Sequence, residues 1–388
     1  MTELRRATLS GTQLSPKSLA RCSLGVAVFA AQIALIGCHK AAGESGDAQL
    51  PVQAGSAAQA GSAALAGSAA QGPRSIRVVP QGGVGFDDLL YSAESHTLLA
   101  PAGATGCVEM FDSSSLTNTP LCRLSAPGEY AGGHGEGVTS ADVGAGKLFA
   151  IDRSSQSLKV AELATAQAEQ AVRAYPLSGQ PDYVRWVEGV REIWVTEPDQ
   201  EQIEVFALGD AGKLTRTDRI AVKGGPESLV IDRARGRAYS HLWSGKTVAI
   251  EVATHALAEQ FANGCRKSRG IALNSPRGLL FVGCSEGKAV VLDVNHSGKV
   301  LGTAETSSGV DIIAANLELN HLYLPAASDG SVTVLGVRGD GSLTRLGSMA
   351  AARGAHCVAS DNRSRVWVCS PDAGALLVFD DNYPRTLE

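Results

Sequence analysis

Aromatic side chains are scarce, at 5% of 388 residues, while glycine fills 44 positions. That balance argues against a helical bundle and for many short strands joined by tight turns. No apolar run of 20 residues occurs beyond the N-terminus, which excludes a polytopic membrane protein. A formal net charge of −5 leaves no global basic field, so nucleic acid is not an expected partner. Familiar catalytic signatures are missing too. There is no G-x-S-x-G elbow, no H-E-x-x-H and no C-x-x-C-H haem attachment. The stretch Gly132-Gly133-His134-Gly135-Glu136-Gly137 has no strand–helix unit around it, so it is not a dinucleotide fingerprint.

The N-terminus reads as an address. Arg5, Arg6, Lys17 and Arg21 stand against the single acid Glu3, and residues 22–36 carry no charge. A basic head before an apolar run too short to span a bilayer is a secretory signal. The run ends in Leu35-Ile36-Gly37-Cys38, which resembles the lipobox of bacterial lipoproteins. The resemblance implies cleavage before Cys38 and lipid on its thiol, although an uncleaved membrane anchor stays open as the alternative. Either way the chain is expected outside the cytoplasm on a membrane tether, as a lipoprotein of the cell envelope. Removing residues 1–37 leaves an acidic body of formal charge −8. Residues 41–74 repeat A-G-S-A-A three times and hold almost no large apolar side chains. Such a segment cannot offset its ordering entropy by burial and reads as a flexible linker. The expected organisation is a signal peptide over 1–37, an anchor cysteine with linker over 38–74 and a folded body over 75–388.

The body repeats. Seven sets of short strands open alike: F-D-D-L-L (86–90), G-E-G-V-T (135–139), P-D-Y-V-R (181–185), P-E-S-L-V (226–230), S-R-G-I-A (268–272), V-D-I-I-A (310–314) and A-H-C-V-A (355–359). Their second residues are spaced by 49, 46, 45, 42, 42 and 45. A repeat of about 45 residues built from four short strands predicts an all-β, seven-bladed β-propeller. The last set runs out after three strands, so the spare strand at 75–80 is expected to complete it and cover both open edges. Only the Ala/Glu/Gln-rich piece at 161–173 shows a helical period.

The stretches P-E-S-L-V-I-D-R-A-R-G-R-A-Y (226–239), G-I-A-L-N-S-P-R-G-L-L-F-V-G-C (270–284) and G-V-D-I-I-A-A-N (309–316) carry a resemblance to the YVTN-type propellers of secreted bacterial proteins. It covers about 75–385 and implies the fold, not the task, because such propellers host many unrelated functions.

Six cysteines remain in the body after Cys22 and Cys38, an even number for an oxidising compartment. Facing residues of an antiparallel hairpin have a constant sum of positions. That rule pairs Cys107 with Cys122, Cys265 with Cys284 and Cys357 with Cys369, against the alternatives of free buried thiols or a zinc site.

In a propeller the first strand of each blade lines the central channel. The second residue of each opening is therefore expected to ring the channel mouth: Asp87, Glu136, Asp182, Glu227, Arg269, Asp311 and His356. Two readings stay open. The ring binds a ligand, including a hard cation such as Ca²⁺ held through carboxylate oxygens, or its side chains staple neighbouring blades. His134, His241, Trp243 and Lys267 are expected on the same face, whereas His255, His296 and His321 read as solvated turn residues. His356 beside Asp311 or Glu227 suits a general base. Two functions follow. One is a non-catalytic binding or scaffold protein, expected as a monomer, for an envelope protein, peptide or glycan. The other is a lactonase-like hydrolase with a metal or acid–base site at the mouth. No cofactor beyond a divalent cation is implied.

Overall fold

Every second strand of the repeat carries a large side chain at its third position: Leu99, Phe149, Trp194, Tyr239, Phe281, Tyr323 and Trp367. In a computed structural model, which describes residues 72–163 and 171–387, all seven are fully buried. Their blades form seven antiparallel sheets, and in all but the last the strands follow chain order from the channel outward. The innermost strands are Leu90–Ser92, Val138–Gly144, Val184–Val187, Val230–Asp232, Ser268–Asn274, Ala314–Asn316 and Val358–Ser360. This is the expected seven-bladed propeller. Six blades have four strands; in the first, the bridges Val108↔Leu121 and Phe111↔Asn118 take the place of a fourth.

The core lies between blades. A blade face can leave water only against its neighbour, so second and third strands are apolar on both faces. Leu279–Cys284 is buried at all six positions. Phe149 of blade 2 stacks on Trp186 of blade 3 at 5.5 Å, within a cluster that includes Val195 and Phe206. Leu279 and Phe281 pack against Leu322 and Leu335 in the same way between blades 5 and 6. Among the described residues the only helices are three-residue 3₁₀ turns, and none is long and apolar enough to cross a membrane.

Closure is as expected. Strand Arg74–Arg77 pairs antiparallel with Ala375–Val378 and forms the outer edge of blade 7. Its register is fixed further along by Val78 and Val84, which donate to the carbonyls of Gly374 and Pro371 at 2.8 Å each. The three cysteine pairs are present. Cys357–Cys369 joins the first two strands of blade 7, and Cys107–Cys122 joins the third strand of blade 1 to its outer segment. Cys265–Cys284 fastens the connection from blade 4 onto blade 5.

The signal segment, Cys38 and most of the linker lie outside the described residues. So does most of 161–173. What is described there is strand: Ser157–Glu162 ends the third strand of blade 2, and Arg173–Pro176 is its outer one.

Candidate functional site

At the start of blade 1, Val84, Phe86 and Leu89 are buried in the core. The intervening Asp87 is turned to the channel, where the chain has no sheet partner on its inner side. The same logic places Asp182, Glu227, Arg269, Asp311 and His356. These six converge, each within electrostatic reach of others across the axis.

Glu136 does not join them. It is exposed, and no described residue forms an ion pair or hydrogen bond with it. The opening of blade 2 carries a β-bulge between Val138 and Ser140. Val138 is also bridged to Gly103 of blade 1, with N–H donors and carbonyls exchanged at 2.9 and 3.1 Å. Gly137, at φ +70°, lies so close that a Cβ would stand 2.1 Å from the Gly103 carbonyl oxygen. This contact with blade 1 occupies the chain immediately after Glu136, and the acid lies outside the cluster.

Blade 2 contributes Arg153 instead, from the loop after its second strand. Its guanidinium pairs with Asp182 and donates to the Pro181 carbonyl at 2.9 Å, tying blade 2 to blade 3. This residue was legible in principle. Among the seven loops joining second and third strands, Arg153 is the only basic residue, and Trp243 the only aromatic one. His134, on the connection from blade 1, lies 2.9 Å from Asp87 through Nδ1 and stacks on His356 at 4.9 Å. Arg269 donates to Glu227 at 2.8 Å, stands 3.9 Å from Asp311 and covers Trp243 at 4.8 Å.

The cluster therefore sets four carboxylates against two guanidinium groups and His134. The Asp87 charge and its hydrogen bond push His134 up to about 9. Against the cost of burial, His134 and Arg153 hold Asp87 below the usual carboxylate range. The other acids go the opposite way. Burial, outweighing Arg153, raises Asp182 to about 7. Burial and the Asp182 charge raise Glu227 to about 9 although Arg269 is bonded to it. Burial and Asp87 raise Asp311. Burial and the neighbouring carboxylates thus make each further negative charge at the mouth costly.

This gives a signed prediction. A carboxyl whose folded pKa is about 9 contributes stability below its ordinary 4.5 that is lost as pH rises through 9. Glu227→Gln cannot ionise and keeps an acceptor for Arg269. Its melting temperature is expected to match wild type near pH 5 and to exceed it increasingly towards pH 9. A variant less stable than wild type at every pH would mean that the ionised Glu227–Arg269 staple dominates.

Beneath the mouth lies a second polar layer that the repeat alignment does not reveal. Arg185 of blade 3 donates to Asp88 of blade 1 through two nitrogens, at 2.6 and 3.0 Å. Ser140 of blade 2 donates at 2.6 Å to Asp88 Oδ2, the oxygen that takes the shorter of these two bonds. The Arg185 guanidinium lies 5.2 Å from the Tyr183 ring centroid.

The histidines differ from expectation. His241 is fully buried; it bonds Thr247 at 2.8 Å, and burial lowers it to about 3. It therefore faces a blade interior and not the mouth. His321 is fully buried as well, against Asp381 at 2.6 Å. His255 bridges Asp218 and Glu192 at 2.8 and 3.0 Å. Turn residues of one blade here pack on the next, which a single-repeat pattern does not show. His296 is largely exposed as expected, and Trp243 and Lys267 are exposed.

Ligand atoms of Asp87, His134 and His356 lie within 4.8 Å of one another. The donor set suits a metal poorly. Both His356 nitrogens face carbonyl oxygens, of Gly354 at 2.8 Å and Phe86 at 3.0 Å, so neither aims a lone pair at the mouth. The same contacts remove His356 as a free general base.

No family model and no curated protein matches the chain. Solved structures share the fold. A chain of the mitotic checkpoint complex aligns with a TM-score of 0.64 at 11% identity, covering 80% of this chain and 91% of that one. A chain of the hydrazine synthase of Kuenenia stuttgartiensis gives 0.62 at 14%, covering 79% and 97%. The β-propeller domain of Cps50 (Swd1) from Myceliophteria thermophila gives 0.62 at 11%, covering 79% and 99%. At these identities the likeness extends to the propeller alone.

Proposed function

We propose that this protein is a non-catalytic binding or scaffold propeller, held outside the cytoplasm by a lipid on Cys38, and that its channel-mouth face takes the ligand. The observation that carries the reading is the mouth itself. Charged groups from six blades and one connecting loop converge there, six of them tied in three bonded pairs, beside an exposed Trp243. The basic residues and both mouth histidines are engaged by carboxylates or carbonyls, which supports binding over acid–base chemistry. The lipobox-like run and the YVTN-like repeats support the exported address, and the paired cysteines suit an oxidising compartment.

Site-specific photo-crosslinking in intact envelopes tests this. A benzophenone side chain in place of Trp243 is expected to capture a partner. The same group at Leu257, exposed on the outer strand of blade 4, should not. Equal capture from both positions would sink the mouth reading. Cys38→Ser protein that is still processed and labelled by palmitate would remove the lipid anchor.

A further inference from the structure

Two polar groups at the mouth make no hydrogen bond through their side chains to any described residue. The Asp311 carboxylate accepts no hydrogen bond from any described residue, and its nearest cation, Arg269, stands off at 3.9 Å. Tyr183, only 6% exposed, opens the innermost strand of blade 3. Its hydroxyl makes no hydrogen bond to a described residue, yet it lies within reach of the charges of Asp87, Asp88, Asp182 and Asp311. The three remaining mouth carboxylates are engaged: Asp87 by His134, Asp182 by Arg153 and Glu227 by Arg269. Trp243, held by Arg269, is nevertheless 53% exposed.

We infer that the mouth binds a primary alkylammonium group, such as a lysine side chain or a free aliphatic amine, with the cation on Asp311 and Tyr183 and the alkyl chain on Trp243. This rests on the mouth reading above and names its ligand class. An ammonium group needs a few oxygen acceptors and gains from a charge-assisted hydrogen bond. Calcium needs six to eight oxygens at about 2.3–2.6 Å. One uncommitted carboxylate and one hydroxyl do not supply that shell. An anion is disfavoured because Arg153, Arg269 and His134 are already bonded to carboxylates. The alkyl chain distinguishes the ligand from an inorganic cation, since an exposed indole adds apolar contact next to the charge site.

The test titrates the full chain with n-pentylammonium, with 1-pentanol as the neutral control and with Ca²⁺, following tryptophan emission. Trp186, Trp194 and Trp367 are buried, so a change lost in Trp243→Phe comes from the mouth. Saturable binding of pentylammonium is expected. It should weaken about tenfold or more in Asp311→Asn and about threefold to fivefold in Tyr183→Phe, for one charged and one neutral hydrogen bond. Glu136→Gln, off the cluster, should bind as wild type does. Thermal melts of each variant confirm folding. Pentanol binding as well as pentylammonium, an unaffected folded Asp311→Asn, or a response to Ca²⁺ alone would overturn the inference. If the Trp243 crosslink survives any of these, the mouth reading stands; if the crosslink is lost too, both fall.

Discussion

Arg185→Ala is expected to cost about 3–5 kcal/mol of folding stability, because it leaves a buried carboxylate without its counter-ion. Asp88 is almost completely buried, and two Arg185 nitrogens and the Ser140 hydroxyl converge on it. The three residues come from the innermost strands of blades 3, 1 and 2, or from directly beside them. One ion pair therefore closes three blades around the axis. Arg185→Lys keeps the charge but not the fork, so it should fall between alanine and wild type. Removing both charges in Asp88→Asn/Arg185→Met should be milder than Arg185→Ala alone, since no ion is left stranded. Urea unfolding of the four proteins measures the order. A cost below about 1 kcal/mol for Arg185→Ala would show that water solvates Asp88 within the channel.

Removal of residues 74–79 should be of comparable size and different in kind. Four residue pairs with blade 7 vanish, at about 1 kcal/mol for each hydrogen bond lost. Ile76, Val78 and Val79 leave the cluster they pack against. The strand Ala375–Asp380 then becomes an open edge with its hydrogen-bonding groups unpaired. The expected results are a lower melting temperature and concentration-dependent association, read by light scattering. A truncated chain that melts with wild type and stays monodisperse would mean that the ring does not depend on this strand for closure.

The arrangement at the mouth bears on both results. Each basic group there joins two blades or a blade and a connection. Arg153 runs from blade 2 to blade 3, Arg269 from blade 5 to blade 4, and His134 from the connecting loop to blade 1. Stapling and binding are therefore not exclusive. On the proposed reading, the residues that hold the ring together would also hold Asp311 and Tyr183 in place.

The propeller was legible because a blade is a local object. Apolar runs of 4–7 residues, glycine turns and a period of 42 to 49 residues lie within a window that sequence displays directly. The cysteine pairing was legible for the same reason: antiparallel register makes facing positions sum to a constant. Six of the seven mouth positions followed from the repeat, since the inner strand of each blade starts at the same height. Glu136 did not follow it: just after this residue, Val138 exchanges backbone hydrogen bonds with Gly103 of blade 1, a contact between blades that a single repeat does not display. The tertiary structure alone decided which charges neutralise which. Arg153 reaches the mouth from a loop, Arg185 crosses from blade 3 to blade 1, and the side chains of Tyr183 and Asp311 make no hydrogen bond to the described residues. These relations join residues up to 97 positions apart. They depend on how far side chains extend across a closed ring, a distance that emerges only when all seven blades pack together.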